Sequence, residues 1–190
     1  MIAQEMYQLG ASRSCIRELF EYGLRQAAVV GKENVYDFSL GNPSIPAPEE
    51  VRQAFSSLIA REDSLGVHGY TPAPGSLEAR AAVAADLNAR FQADIRPENL
   101  FLTCGAAPAL ISVIRALAVE GAEIMAIAPF FPEYRPFAEN NGAKFVVVPA
   151  DTETFQIPVA EVEQRLTAHT QAIIVNSPNN PSGAIYSPEN

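Results

Sequence analysis

The chain has 190 residues, of which 48% are hydrophobic and 18% are charged, as expected of a globular protein with a sizeable core. Its formal net charge of −9 argues against binding to nucleic acids or anionic membranes. No apolar run reaches membrane-spanning length, no signal peptide opens the chain, and Cys15 and Cys104 form no disulfide or metal-ligand pattern. We therefore expect a cytoplasmic protein with reduced cysteines and no bound metal.

Residues 1–48 are predicted to form an arm, a helix and a rigid strap. Apolar residues recur at helical spacing over 15–30, after the capping residue Ser14. The alternating segment 35–40 predicts a short strand. From Gly41 to Pro48 three prolines predict an extended strap, although the same residues also suit an ordinary turn.

Helices and strands are predicted to alternate over residues 49–190, the second predicted domain. This alternation predicts an α/β domain of three layers, in which helices flank a mostly parallel sheet and ligands bind at the carboxyl ends of the strands. The first predicted helix starts at Pro48, and the second covers 77–91. Two further helices end near 118 and at 141, and the last covers 159–168. The predicted strands lie within 97–103 and at 123–128, 144–149 and 172–175.

A turn of small residues joins the strand within 97–103 to the next helix. Gly105, Ala106 and Ala107 leave the amides of the first helical turn accessible, and the helix dipole favours an anion there. No Gly-Lys-Ser/Thr follows, so the turn is not a Walker loop. It predicts a phosphate cup built from backbone amides, but ordinary strand–helix junctions share the pattern.

Aromatic residues mark two further segments. Tyr70 precedes a proline-rich turn and the alanine-rich helix at 77–91. Phe130 and Phe131 lie between two prolines at the end of the strand at 123–128. On pattern alone, such residues either line a ligand site or complete the core.

A stiff loop follows the strand at 172–175. Its eight residues, from Asn176 to Gly183, include two prolines and three asparagines, which exclude both a helix and ladder pairing. Asparagine side chains held there are fixed hydrogen-bond donors at the place where α/β proteins bind ligands. A plain strand-to-loop turn would give the same composition.

In this order, the segments resemble the motifs of the fold-type I pyridoxal 5'-phosphate (PLP) aminotransferases of class I and II. The last loop is similar to the family's Asn-x-Pro-x-Asn-Pro-Thr/Ser-Gly, and Pro129 begins a run similar to Pro-x-Tyr-Pro-x-Tyr. The run from Tyr70 is similar to Tyr-x-x-x-x-Gly-x-x-x-Leu-Arg, with Ala79 in place of leucine. The run from Gly41 is similar to Gly-x-Pro-x-x-x-Pro.

The resemblance implies roles for single residues. The amides of the Gly105, Ala106 and Ala107 turn would hold the cofactor phosphate, Phe131 would stack on the pyridine ring in place of a tyrosine, and Asn180 would donate to the phenolic oxygen. Tyr70 would donate to the phosphate of a neighbouring subunit, which implies a homodimer. Gly41 and Asn180 would face the amino-acid or 2-keto-acid substrate. Asn179 is the variable position of its motif and inherits no role.

The family's Schiff-base lysine is expected beyond Asn190, since Lys32 and Lys144 lie in no matching motif. We therefore expect an aminotransferase that acts on aspartate or another common amino acid. We expect these 190 residues alone to be inactive. A PLP-dependent lyase or decarboxylase would share every motif. Two non-enzymatic interpretations also stay open: the effector domain of a transcription regulator, which the acidic composition disfavours, and a non-catalytic fragment.

Overall fold

The computed structural model describes residues 2–12, 14–41, 43, 45–61 and 64–188. The chain divides into two compact units, Met1–Gly69 and Tyr70–Asn190. The division into an arm and strap at 1–48 and a domain from 49 stays a prediction.

The first unit is helical. Its longest helix, α2 (Cys15–Val30), has the predicted bounds and buries none of its residues. The arm contains an unpredicted helix, α1 (Gln4–Ala11), and a 3-10 turn at Lys32–Asn34 follows α2. The other helices are α3 (Glu49–Arg61) and α4 (Ser64–His68).

The strand predicted at 35–40 is wrong. The segment is irregular, and the Ser39 amide donates to Oδ1 of Asp37 at 2.8 Å. In this local turn the side chain of Asp37 bonds an amide that would donate to a neighbouring strand in a sheet. The β-rich alternation of the sequence does not predict this bond.

The second unit contains a parallel sheet of three strands. The strands are β1 (Glu123–Ile127), β2 (Lys144–Val148) and β3 (Thr170–Ile174), in the order β2-β1-β3. Every residue of β1 is buried, as expected of a central strand covered on both faces. The predicted α/β class with a parallel sheet is therefore confirmed.

Helices cover both faces of this sheet. One face carries α6 (Ala106–Leu117) and α7 (Tyr134–Glu139), which pack against residues such as Ile124 and Phe145. The other face carries α8 (Val159–Arg165), through Val162. Helix α5 (Leu77–Phe91) matches its predicted bounds.

The strand predicted within 97–103 is also wrong. Pro97–Asn99 forms a 3-10 turn, and the extended residues after it join no ladder in the part of the chain that the structure describes. The Leu102 amide instead donates to the Pro74 carbonyl at 3.0 Å. A strand forms only where a neighbouring strand accepts its backbone hydrogen bonds, and here the acceptor lies in a turn instead. None of the described helices has the length and hydropathy needed to cross a membrane.

Candidate cofactor site

Two of the predicted site segments leave the same edge of the sheet. Strands β1 and β3 are adjacent and parallel, so their carboxyl ends share an edge. Phe131 lies four residues beyond the end of β1, and the 176–183 loop begins two residues beyond the end of β3. The aromatic segment and the asparagine-rich loop are therefore neighbours.

The amino-terminal end of α6 points toward the same edge. Near its other end, Arg115 donates to the Asn141 carbonyl at 3.2 Å, and Asn141 lies just before the start of β2. Since α6 also packs on a face of the sheet, we infer that it runs antiparallel to the strands. Its 12 residues span about 18 Å, against about 16 Å for the five residues of β1. The Gly105 turn consequently lies toward the carboxyl ends of the strands.

The Gly105 turn offers free amides to an anion. Gly105 precedes α6 with φ 107°, a conformation that favours glycine, and the Thr103 hydroxyl donates to its carbonyl at 2.7 Å. Among the described residues, no protein group accepts from the amides of Ala106 and Ala107, which are exposed. A side chain built on Gly105 would meet no atom within 4 Å. The turn therefore fits a phosphate in donors and in space.

The two phenylalanines are both partly buried against the same core cluster, but their rings pair with different neighbours. The ring of Phe130 forms a T-shaped pair with that of Phe145, with centroids 5.0 Å apart. Phe131 is half-buried and meets the ring of Tyr134 edge-on at 5.6 Å, while its carbonyl accepts from the Tyr134 amide. In a T-shaped pair the edge of one ring meets the face of the other, so Tyr134 covers at most one face of Phe131. The other face stays free of that neighbour, as stacking on a ligand ring requires.

Asn180 is exposed on the loop after β3. Its amide donates to Oδ1 of Asn176 at 2.8 Å, and no described group bonds its side-chain amide. The Asn180 side chain therefore keeps its donors available, as the predicted bond to a cofactor oxygen requires.

Asn179, for which the sequence suggested no role, is the buried residue of this loop. Its side chain accepts from both the amide and the hydroxyl of Ser182 and donates to the Tyr186 hydroxyl. Two asparagines in tandem give no sequence signal of which one turns inward; only the fold decides it.

Tyr70 and Gly41 are both exposed. Tyr70 opens the second unit, and the turn that follows it accepts a hydrogen bond from Arg80 at the Gly75 carbonyl, at 3.3 Å. Gly41 belongs to the first unit, and a side chain built on it would meet nothing within 4 Å. Asn42 and Ser44 of the strap lie outside the described residues. The roles of Tyr70 and Gly41 stay predictions.

Lys144 lies at the opposite edge of the sheet. It opens β2, and its Nζ is 2.7 Å from Oε1 of the buried Glu123, which opens β1. The hydrogen bond from Lys144, followed by that from the Thr167 hydroxyl, lowers the pKa of Glu123 below its ordinary value. Lys144 is thus an ion-pair partner at the amino-terminal ends of the strands.

Comparison with known proteins identifies the family. The model for aminotransferase class I and II matches residues 33–190. The chain belongs to this family. Its members depend on PLP, which confirms the cofactor class that the motifs predict.

Solved and curated aminotransferases resemble the chain over most of its length. An amino transferase from Eubacterium rectale shares 53% identity, with a TM-score of 0.95 over 100% of this chain and 48% of its own. The aspartate aminotransferase of Thermotoga maritima is 31% identical over 90% of this chain and 45% of its own length. The N-succinyldiaminopimelate aminotransferase of Mycobacterium tuberculosis is 32% identical over 93% of this chain and 44% of its own, with a TM-score of 0.78. The chain therefore spans less than half the length of these relatives.

Proposed function

We propose that this chain supplies the phosphate-binding and ring-stacking part of a PLP-dependent aminotransferase. Such an enzyme transfers an amino group between an amino acid and a 2-keto acid. Two features of a chain of this family support the proposal: the adjacent carboxyl ends of β1 and β3, which lead to Phe131 and the Asn180 loop, and the orientation inferred for α6 from the Arg115–Asn141 contact.

Each group has a distinct task in this proposal. The amides of Ala106 and Ala107, with the α6 dipole, offset the charge of the phosphate without a lysine or arginine. Phe131 covers a ring face and excludes water from it. Asn180 donates to the phenolic oxygen of the ring and so fixes the rotation of the ring in its plane. Bound PLP supplies an electron sink for the bonds at the substrate α-carbon, and the protein supplies orientation.

The proposed substrate is aspartate or another common amino acid. Support comes from the aspartate aminotransferase among the relatives. Gly41 is proposed to let the backbone approach the substrate carboxylate, because it is exposed and carries no side chain.

The 190 residues are proposed to be inactive by themselves. Lys144 is paired with Glu123 at the edge of the sheet opposite to the site, and Lys32 lies in the 3-10 turn of the first unit. The chain contains no other lysine that could bind the cofactor covalently.

The protein is proposed to form a homodimer and to reside in the cytoplasm. The Tyr70 ring is fully exposed, and the outer edge of β3 has no neighbour among the described strands; both leave surface for a second subunit. Both cysteines are exposed and unpaired, as a reducing compartment allows. Sedimentation that stays monomeric up to millimolar concentration would refute the dimer.

The test of the function is to compare PLP with pyridoxal, which lacks the phosphate. Titration followed by absorbance should give weak but saturable binding of PLP, and inorganic phosphate should compete with it. Pyridoxal should bind at least about tenfold more weakly, because the charged contacts at the α6 amides are lost. Equal binding of the two compounds would refute the phosphate cup, and no binding of either would refute the site.

A further inference from the structure

Asn179 is a polar side chain buried inside a loop that is otherwise mostly exposed. It retains 8% of its accessible surface, whereas its neighbours Asn180 and Pro181 are exposed. Burying an amide is unfavourable unless its polar atoms are bonded. Its partners therefore show what the burial achieves.

The Asn179 side chain bonds the second half of the loop. Its Oδ1 accepts from the Ser182 amide at 3.2 Å and from the Ser182 hydroxyl at 2.9 Å. The same hydroxyl accepts from the Ala184 amide at 3.2 Å. The Asn179 main chain adds two bonds, since its amide donates to the Ala184 carbonyl and its carbonyl accepts from Gly183.

The other end of the side chain reaches Tyr186. Nδ2 of Asn179 donates to the Tyr186 hydroxyl at 3.4 Å, and the Tyr186 amide donates to the Ser177 hydroxyl at 3.2 Å. The chain thus returns to the start of the loop and closes it. Asn180 lies inside this closed loop with its side chain outward.

We propose that Asn179 is a positioning residue, which holds the loop in the conformation that presents Asn180 to the cofactor, with Tyr186 as its second anchor. This inference rests on the proposed function. Asn179 itself faces the protein, so it acts on the cofactor only through Asn180.

The first experiment needs no cofactor. Amide hydrogen exchange is measured on the 190-residue chain and on three variants: Asn179→Leu, which is similar in size but apolar; Asn179→Asp, which keeps the acceptor; and Asn180→Ala, the matched neighbour. In Asn179→Leu, exchange of the Ser182 amide should rise about tenfold or more, because its acceptor is gone. Asn179→Asp and Asn180→Ala should keep the wild-type rate.

Amides of the central strand control for loss of the fold. Ala126 lies in β1, far from the loop in sequence, and it should exchange at the wild-type rate in every variant. If Ala126 also exchanges faster in Asn179→Leu, the milder variants Ser182→Ala and Tyr186→Phe replace it. Each removes one partner of Asn179 and should loosen the Asn180 amide with Ala126 unchanged.

The second experiment is a double-mutant cycle on PLP affinity. Asn180→Ala and Asn179→Leu should each raise the dissociation constant of PLP about tenfold. The single variant Asn179→Asp should have a dissociation constant within about twofold of wild type. In the Asn180→Ala background, Asn179→Leu should add less than about twofold, because its effect passes through a side chain that is already missing.

Two results would overturn the inference. One is a Ser182 amide that exchanges at the wild-type rate in Asn179→Leu, and the other is a full additional loss of affinity in the Asn180→Ala background. If the wild-type chain binds no PLP, the proposed function fails instead, and the exchange experiment alone decides whether Asn179 fixes the loop.

Discussion

The ring of Phe131 meets that of Tyr134 edge-on, with centroids 5.6 Å apart and planes inclined by 76°. Tyr134 is buried, and this burial, with a smaller contribution from the Tyr186 phenol, raises its pKa above the ordinary value. A neutral, packed ring therefore sets the inclination of Phe131, whose face the proposed function assigns to the cofactor.

Replacing Phe131 by leucine should weaken the binding of both PLP and pyridoxal. The loss of an aromatic contact corresponds to about two- to tenfold in the dissociation constant. Phe131→Tyr, which has the residue expected at this position in the family, should bind as wild type does. Titration by absorbance checks this, and wild-type affinity in the leucine variant would show that Phe131 is only a core residue.

An acidic residue at the start of α6 should exclude the phosphate without harming the fold. Aspartate in the first turn of a helix is stabilising by about 0.3–1 kcal/mol. Ala106→Asp should therefore unfold at an equal or higher urea concentration and yet bind PLP at least about tenfold more weakly, because like charges meet.

Ala106→Asn is the control for this variant, since it has the size of aspartate without the charge. It should keep most of the PLP affinity, and both variants should bind pyridoxal equally. If Ala106→Asn and Ala106→Asp weaken PLP binding to the same degree, the side chain at this position obstructs the phosphate sterically. The electrostatic account of the cup would then be wrong.

Acid should destabilise the chain through Glu123. Its pKa is lowered in the folded state, first by Lys144 and then by Thr167, so its contribution is fully present above the ordinary carboxyl pKa of 4.5. That contribution is lost as the pH falls through the lower folded value. The urea midpoint of wild type should therefore exceed that of Glu123→Gln at pH 7, and the two should converge toward pH 3.

Lys144→Met tests the named cause of this shift. This variant keeps the Glu123 carboxylate and removes its cation. The difference in urea midpoint between pH 7 and pH 3 should therefore be smaller than in wild type. Urea midpoints of wild type and Glu123→Gln that run parallel over this pH range would contradict the role of Glu123.

Borohydride treatment should leave the lysines unmodified. The chain is incubated with equimolar PLP, reduced and analysed by mass spectrometry after digestion. We expect no stoichiometric adduct on Lys144, because its amine is paired at the far edge of the sheet. A stoichiometric adduct on either Lys144 or Lys32 would refute the proposed inactivity of the chain.

Strong periodicity made much of the fold predictable. The helices at Cys15–Val30 and Leu77–Phe91 have the predicted bounds, and the three strands of the sheet differ from their predictions by one or two residues at one or both ends. Apolar spacing and clear stop signals determine these elements locally. The motifs also identified the family, because their order along the chain is a stronger signal than any one of them.

Tertiary contacts and side-chain hydrogen bonds determine the features that the sequence patterns did not predict. The 35–40 segment has strand-like residues, but the Asp37 carboxylate captures the Ser39 amide. Asn179 and Asn180 are chemically identical, and their opposite orientations depend on which side chain meets Ser182 and Tyr186 in the folded loop. Neither outcome follows from hydrophobic periodicity.

Nuclear magnetic resonance of the 190-residue chain during PLP titration tests the central claim most directly. If the α6 amides, Phe131 and Asn180 bind one phosphorylated pyridine, then the signals of Ala106, Ala107, the Phe131 ring and the Asn180 side-chain amide should shift together, with a single dissociation constant. Pyridoxal should shift the last two and leave the α6 amides nearly unchanged. Signals that saturate at different concentrations, or α6 amides that do not respond to PLP, would contradict a common site.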